Sequence, residues 1–432
     1  MVDYQIDERV KKDTPSLEEV HQVYQKWINI KDLKRIDMGL IVRIIAKTIG
    51  TRVWVIIVGP SGDWKSEQLR ALADSQEQET KIIRNFTDKT LVNGNPKVPD
   101  LAPSLKNKCI IIQDMAQLLK LNPNIKGEVW AQLRDLYDGF AGKQSGLGKD
   151  VEYNDLNVTL IGGSTPAIDS QILIHQDLGT RELIWRTDRA ERVKTMQMAW
   201  KNENVEDLMR HELREITNNF LKSHNYDEDI EVPEEIEEFI RFQSIRLSYL
   251  RAPAEADSDG QLLNDVYPEM PTRVLKQLKR IYIATKSLDN NYPNNDAKEI
   301  IKHLVDSSAF MIRKNLLEYL IINDIKDLNT NEISERLKVG YKPIFRELNV
   351  LWNLDLVKRE MSLEGRGGKP FEFCKWGCNK EHEFINGMFR AINPVALSPE
   401  QVQFYQYQEC KLCGLKKPEA IDEYGICEIC KM

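Results

Sequence analysis

Along the first half of the chain the apolar positions change period several times, and each change marks an element. From residue 14 to 50 they recur at helical spacing. TPSLEEVHQVYQKWI opens with Thr14 and Pro15 as cap and first-turn residues and Glu18 completing a capping pattern, and IDMGLIVRIIAKTIG runs to a helix stop at Gly50. Residues 53–58 then form a continuous apolar run, too short and too β-branched for a helix, which predicts a buried strand. KCIIIQD (108–114), LNVTLIGG (156–163) and ELIWRT (182–187) repeat that signal, and helical patterns such as SEQLRALADS and GEVWAQLRDLYDGF separate them. Buried strands alternating with helices predict an α/β core with a mainly parallel sheet.

From about residue 200 the strand signals stop. NENVEDLMRHELREITNNFLKSH, PEEIEEFIRFQSIRLSYLRA and PTRVLKQLKRIYIATKSL read as helices, and DNNYPNNDAKE as a turn-rich linker. Beyond it SSAFMIRKNLLEYLIINDI, NTNEISERL and YKPIFRELNVLWNLD predict three helices, followed by a strand–turn–strand in LVKREMSLEGRGGKPFEF. No repeat or low-complexity tract is evident. The expected divisions are a helical segment over 1–45, the α/β core over 46–200, a helical lid over 201–295, a winged helix over 305–373 and a metal-binding region over 374–432.

Composition narrows this picture only a little. A length of 432 residues suggests two to four domains. With 41% apolar and 29% charged residues the composition is that of a soluble globular protein. No apolar run approaches the roughly 18 residues that cross a bilayer, and the start, MVDYQIDERVKKD, lacks the apolar stretch of a signal peptide, so the expectation is a cytoplasmic protein without a membrane partner. The net charge of −7 excludes a uniformly basic nucleic-acid binder but leaves local basic faces open. Of seven cysteines, six lie after residue 373, a crowding that points to metal rather than disulfides.

The chemistry concentrates in WVIIVGPSGDWKS (54–66), which follows the phosphate-loop pattern G-x-x-x-x-G-K-[ST] except at Trp64, where the pattern asks for glycine. Such a loop works because backbone N–H groups cradle the anion, a lysine adds charge at the β- and γ-phosphates, and a hydroxyl ligates magnesium. Gly59, Pro60, Ser61, Gly62, Asp63 and Trp64 would form the cradle, Lys65 would supply the charge and Ser66 the hydroxyl. The Trp64 ring must point away from the phosphates, or the loop must differ locally. An ordinary strand–turn–helix is the alternative.

Asp114, ending the strand KCIIIQD, stands where a phosphate-loop enzyme positions its magnesium-bound water. Because the commoner ending is D-E, Gln113 could hold the metal position and Asp114 the base position; a helix cap is the plainer reading of Asp114, and Glu128 is a weaker candidate for polarising water. Ser164, Thr165 and Pro166 follow the next strand, and Thr165 fits a polar group that senses a γ-phosphate. Arg181 in GTRELIWRT fits a cation presented to a neighbouring subunit's γ-phosphate, with Arg186 a lesser candidate and a surface arginine the alternative for both. Arg273 of EMPTRVLKQLKR would add a second cation from the lid.

Taken in order, the loop, the IIIQD strand, a hairpin, STP, GTR and PTRVLKQL resemble the AAA+ ATPase core over roughly residues 40–290. The similarity is greatest to minichromosome maintenance helicases and to related ATPases of mobile elements and phages. It implies ATP and Mg²⁺ as cofactors, a homo-oligomeric ring, a hexamer, with sites between subunits, and DNA as partner. FAGKQSGLGKDVEY (140–153) matches the family's pore hairpin, which implies that Lys143 and Lys149 face DNA; a solvated surface hairpin is the alternative. The chain departs from the family at Trp64, at the missing D-E pair, at S-T-P in place of an asparagine, and in lacking the separate N-terminal DNA-binding domain.

The C-terminal elements resemble a winged helix, with Lys342 and Arg346 on the recognition helix and Arg366 and Lys369 on the wing EGRGGKP available to DNA; some winged helices bind only protein. In CKLCGLKKPEAIDEYGICEIC two C-x-x-C knuckles, Cys410/Cys413 and Cys427/Cys430, are thirteen residues apart, which predicts a closed tetrahedral Zn²⁺ ribbon. Cys374, Cys378 and His382 could hold part of a second site, though no fourth ligand is obvious. The function these residues lead us to expect is a DNA-associated ATPase, a ring-forming helicase, translocase or replication initiator. The alternative is an ATP-gated transcriptional regulator that reads DNA through its winged helix.

Overall fold

A computed structural model describes residues 6–74, 76–93, 98–143, 150–169, 180–188, 191–325, 327–366 and 369–392, with backbone alone for 362–366, 369–373 and 389–392. By internal contacts the chain divides into two units, 1–315 with 345–354, and 316–344 with 355–432.

The first unit is built on a five-stranded sheet. Strands β1 (Trp54–Val58), β2 (Thr80–Ile82) and β3 (Cys109–Ile112) come first, then a two-stranded hairpin β4 (Ala141–Lys143) and β5 (Val151–Tyr153), then β6 (Thr159–Ser164) and β7 (Glu182–Arg186). The sheet order is β2-β3-β6-β1-β7 and every pairing is parallel, with Trp54 opposite Leu160 on one side and Glu182 on the other. All five residues of β1 and all six of β6 are buried, which is why these strands read as unbroken apolar runs. Ile56, Ile110, Leu160 and Ile184 join Trp130, Leu133 and Leu136 of a long helix in one core cluster. The sheet and helices expected from the sequence are present; β2 and the helices at 116–119 and 192–202 are additions to that reading.

Helices α1 (Leu17–Trp27) and α2 (Lys34–Ile45) precede the sheet, and α3 (Lys65–Ala71) follows the loop after β1. The cap of α1 is Ser16, not Thr14: the Ser16 hydroxyl accepts from Glu19 N–H at 3.2 Å and the Glu19 carboxylate accepts from Ser16 N–H at 2.9 Å. This reciprocal pair needs a carboxylate three residues after the cap, which Ser16 has and Thr14 lacks. After β3 come α4 (Ala116–Leu119) and α5 (Pro123–Asp138), and after β7 come α6 (Arg192–Asn202), α7 (Glu206–Ser223), α8 (Glu234–Leu250) and α9 (Thr272–Leu288). The buried Glu212 of α7 accepts from Asp7 N–H, the Lys26 ammonium and the Trp27 indole N–H at 2.9, 2.6 and 2.7 Å, tying the N-terminal segment to this unit.

The stretch expected to be a linker is mostly a helix, α10 (Asn294–Ser308). It guards the edge of the sheet: the Ser308 and Ser307 hydroxyls accept from the N–H groups of Ile184 and Arg186 at 2.8 and 3.2 Å. A sheet edge left with open donors is a template for aggregation, and two serines on one helical turn close it here.

The second unit contains most of α11 (Met311–Ile322), then β8 (Leu328–Asn329), α12 (Thr330–Leu337), the first turn of α13 (Tyr341–Asn353), β9 (Val357–Arg366), β10 (Lys369–Cys378) and α14 (Glu383–Ile392). Its sheet is antiparallel with order β8-β10-β9. Trp376 is fully buried, its indole N–H donating to the Thr330 hydroxyl at 3.0 Å. No helix among the described residues is long and apolar enough to cross a membrane.

Candidate nucleotide site

Residues 59–66 turn between β1 and α3 outside the carboxyl ends of the strands, the side on which open α/β sheets bind ligands. Gly59 N–H donates to Ser164 O at 3.1 Å, fixing the loop's start against the end of β6. A Cβ at Gly59 would lie 2.0 Å from the Thr187 hydroxyl and 2.3 Å from the Asp63 carboxylate, so only glycine fits there. Gly62 has φ +82°.

Trp64 has φ 67° and ψ 8°, the left-handed conformation, as the residue before α3. This is why the pattern asks for glycine at that position. The tryptophan adopts the glycine-like backbone at a cost of about 1–2 kcal/mol. Its side chain is half-buried, it lines the cavity described next, and its indole N–H is buried without a hydrogen-bond partner. Of the two expectations for this position, the structure shows a loop that is locally unusual at Trp64.

A cavity of about 440 Å³ opens over the loop. Ser61, Gly62, Asp63, Trp64, Lys65 and Ser66 form one wall, and Gln113, Asp114, Ser164 and Thr165 come in from the ends of β3 and β6. Residues far apart in sequence thus meet at one place. Lys65, though 8% exposed, lines it, and its ammonium donates to Gly59 O, Pro60 O and the Asp63 carboxylate at 2.8, 2.6 and 2.6 Å. Asp114 is exposed and lines the cavity, and its Oδ1 accepts from the N–H of Ala116, the first residue of α4, at 2.8 Å. The hydroxyls of Ser66 and Thr165 and the carboxylate of Asp114 are oxygen donors suited to a hard divalent cation or a phosphate's magnesium. Glu128, exposed on α5, does not line the cavity.

The opposite wall comes from residues the sequence did not flag. Thr195, Ala199 and Asn202 of α6 and Glu206 and Met209 of α7 line it, as does Glu67. Glu67 accepts from Arg210 at 3.1 and 3.2 Å, joining α3 to α7, and Asn202 donates to Trp27 O at 2.6 Å. No signal along the chain joins Glu67 to Arg210, which are brought together only by folding. Among the described lining residues Lys65 is the sole cation, against Asp63, Glu67, Asp114 and Glu206.

Arg181 and Arg273 do not reach this cavity. Arg273 lines a separate cleft of about 410 Å³ with Arg52, Lys276, Tyr137, Asp138 and Glu269. The Arg273 guanidinium donates to Thr180 O at 3.0 Å, and that of Arg181 to the adjoining Asp138 carboxylate at 2.7 Å. Gln277 donates to Arg181 O and Tyr137 Oη at 2.8 and 2.9 Å, and Tyr137 donates to Arg52 O at 3.0 Å. Burial pushes the Tyr137 phenol up to about 12, which keeps it a donor at any physiological pH. The lesser candidate Arg186 is held by the Asp169 carboxylate in a bidentate pair at 3.0 and 2.8 Å.

Of the residues expected to meet DNA, Lys143 ends β4, paired with Val151, and Lys149 lies outside the described residues. Lys342 is exposed in the first turn of α13. Arg346 groups with the first unit, where its guanidinium donates to Ala254 O at 2.9 Å. Arg366 and Lys369 pair across the β9–β10 hairpin. Cys410, Cys413, Cys427 and Cys430 lie outside the described residues.

Cys374 and Cys378 share the extended strand β10, so their Cα atoms are about 13 Å apart at ~3.3 Å per residue, too far for one metal. Burial also pushes the Cys378 thiol up to about 12. No cluster of three metal-ligating side chains occurs among the described residues. Cys374 and Cys378 therefore do not meet at one metal, which corrects the expectation that they share a second site.

No protein-family model matches the chain, and no curated protein matches it. Among solved structures it is similar to a candidate ATPase from Cytophaga hutchinsonii, at 13% identity over 67% of this chain and 86% of that one, TM-score 0.41. The apo C-terminal region of NrS-1 is similar at 14% identity over 86% and 79%, TM-score 0.35. The Thermotoga maritima RuvB Holliday junction branch migration motor is similar at 12% identity over 82% and 94%, TM-score 0.25. At such identities and scores none of these likenesses carries weight for what the chain does.

Proposed function

We propose that the chain is an ATPase of the AAA+ type that binds Mg²⁺·ATP over residues 59–66 and couples its hydrolysis to movement or remodelling of DNA. The observation that carries this reading is the convergence on one cavity of Lys65, Ser66, Asp114 and Thr165, drawn from three different strand ends. Lys65 supplies charge to the terminal phosphates. Ser66 and Asp114 would hold the magnesium ion, which supplies charge neutralisation as the γ-phosphate departs. Thr165 stands beside them as a hydroxyl that can bond a phosphate oxygen.

The shortage of cations in this cavity and their surplus in the second cleft support a ring in which sites are shared. Arg181 and Arg273 would act on the nucleotide of a neighbouring copy, and a hexamer is the assembly we propose. Lys143 and Lys149 would face DNA from the β4–β5 hairpin, and the second unit would add a winged helix with Lys342, Arg366 and Lys369 at the DNA, followed by a zinc ribbon on Cys410, Cys413, Cys427 and Cys430. Arg346 is the weakest of the DNA candidates, because a guanidinium already bonded to a backbone carbonyl must give up that bond to reach a phosphate.

Phosphate release, measured with and without single- and double-stranded DNA, tests the reading. Wild type should turn over ATP and be stimulated by DNA, and Lys65→Ala should abolish release. Stoichiometric binding to one DNA sequence with no stimulated turnover would favour an ATP-gated regulator instead.

A further inference from the structure

Resting on that reading of the loop, we propose that Asp63 is an internal anion: it holds the loop's phosphate-binding donors while no nucleotide is present and is displaced towards Arg35 when one enters.

The geometry on the loop side is that of a bound anion. Asp63 Oδ1 accepts from the Lys65 ammonium at 2.6 Å and, at longer range, from the Lys65 backbone N–H at 3.3 Å. An ammonium and a loop amide are the two donor types a phosphate oxygen would take there. The other two ammonium donors go to Gly59 O and Pro60 O, so all three are in use. The side chains of Lys65 and Asp63 are 9% and 3% exposed, so this pair is screened little by water and competes strongly with any incoming anion. The phosphate-loop pattern leaves the identity of position 63 open. An acid there is this chain's own choice.

The receiving side is already built. Asp63 Oδ2 accepts from the Thr187 hydroxyl at 2.9 Å and stands 3.7 Å from Arg35 Nη1, just beyond a hydrogen bond. Arg35 is 5% exposed and anchored from below, its Nε donating to Gln68 at 2.8 Å and its Nη1 to Asp63 O at 3.1 Å, while Nη2 is buried with no partner. A buried guanidinium N–H without an acceptor is costly, so this end of Arg35 is under-supplied with acceptors, and a small rotation of Asp63 would close its 3.7 Å gap to the guanidinium into a hydrogen bond. A pocket of about 30 Å³ bounded by Arg35, Asp63 and Thr187 leaves room for that rotation. Asp32 and Asp188 also border it, and Arg35 already stands within ion-pair range of Asp63, so the displacement is a tightening of an existing pair.

In this account Asp63 sets the affinity of the loop: it is a positioning residue, and it lowers binding by occupying Lys65. Calorimetric titration of Mg²⁺·ATP into wild type, Asp63→Asn, Arg35→Met and the double variant tests it. Asp63→Asn should bind about tenfold more tightly than wild type, the removal of one competing charge-assisted contact. Arg35→Met should weaken binding to the wild-type loop and leave binding to Asp63→Asn unchanged, a coupling that a merely structural role would not give.

A wild type that binds, with Asp63→Asn equal or weaker, overturns this inference and leaves the nucleotide site standing. Binding by neither protein overturns both, and binding by Asp63→Asn alone supports both. Should Asp63→Asn fail to fold, a structure of the wild-type nucleotide complex decides. Asp63 bonded to Arg35 with Lys65 on phosphate supports the displacement, and Asp63 still on Lys65 overturns it.

Discussion

The two clefts of the first unit are of nearly equal size and opposite character. The cavity over residues 59–66 has one lysine among four acids on its described walls. The cleft beside Asp138 has Arg52, Arg273 and Lys276, with Arg181 adjoining, against two acids. The first cavity is short of positive charge for a triphosphate, and the second carries a surplus, with Arg273 on the Thr180 carbonyl and Arg181 on the Asp138 carboxylate. On the proposed function, the difference means that the catalytic set would be split between two faces of the chain, each supplying what the other lacks. Two halves on different faces of one chain are what a head-to-tail assembly requires.

The comparison breaks most visibly if the cations of the second cleft are dispensable. Arg181→Ala should lower turnover about 1,000-fold while leaving ATP binding within a few-fold, because the arginine acts on the departing phosphate and not on the ground state. Steady-state phosphate release against calorimetric binding checks this. Mixing Arg181→Ala with Lys65→Ala sharpens it: separately both are inactive, but together they should recover part of the activity, since a mixed pair brings an intact loop to an intact arginine. No recovery on mixing would mean that the halves serve one chain.

Next in size is the hairpin. Lys143→Ala should remove most of the DNA-stimulated increment and leave the basal rate, read by titrating DNA into the same assay.

A smaller effect concerns Trp64. Trp64→Gly relieves the left-handed backbone but loses indole packing, so its stability should stay near wild type. Trp64→Val, β-branched at φ 67°, should be about 1–2 kcal/mol less stable than Trp64→Gly in denaturant unfolding. Equal stability of the two would contradict the left-handed conformation.

The smallest effect is at Asp7, whose carboxyl is held well below its usual range, chiefly by the hydrogen bond from Arg9. A carboxyl depressed by folding stabilises above its unfolded value of about 3.9 and loses that contribution as pH falls through the folded value. Asp7→Asn should therefore lower the thermal midpoint slightly at pH 7 and progressively less on acidification below about pH 4.

Much of this was written plainly in the sequence. β1, β3, β6 and β7 are strands buried on both faces, and burial demands the continuous apolar runs that make them legible. The loop was legible because its donors are contiguous, and even the departure at Trp64 marked the residue whose backbone is unusual. The far wall was not. α6 presents Val193, Met196 and Trp200 at 67%, 69% and 81% exposure, so its apolar residues do not mark a buried face and leave no amphipathic pattern to read. Glu67 and Arg210 are joined only by folding. Cys374 and Cys378 misled because four-residue spacing suits a ligand pair in a turn or helix, whereas β10 is extended. The cap at Ser16 was missed by two residues because Thr14 and Pro15 imitate its chemistry.

The most direct test of the central claim is a calorimetric titration of Mg²⁺·ATP into purified wild-type protein and Lys65→Ala. The account predicts saturable heat with wild type and binding weakened at least 100-fold, or lost, in the variant. Saturable heat of equal affinity in both, or none in wild type, would contradict it.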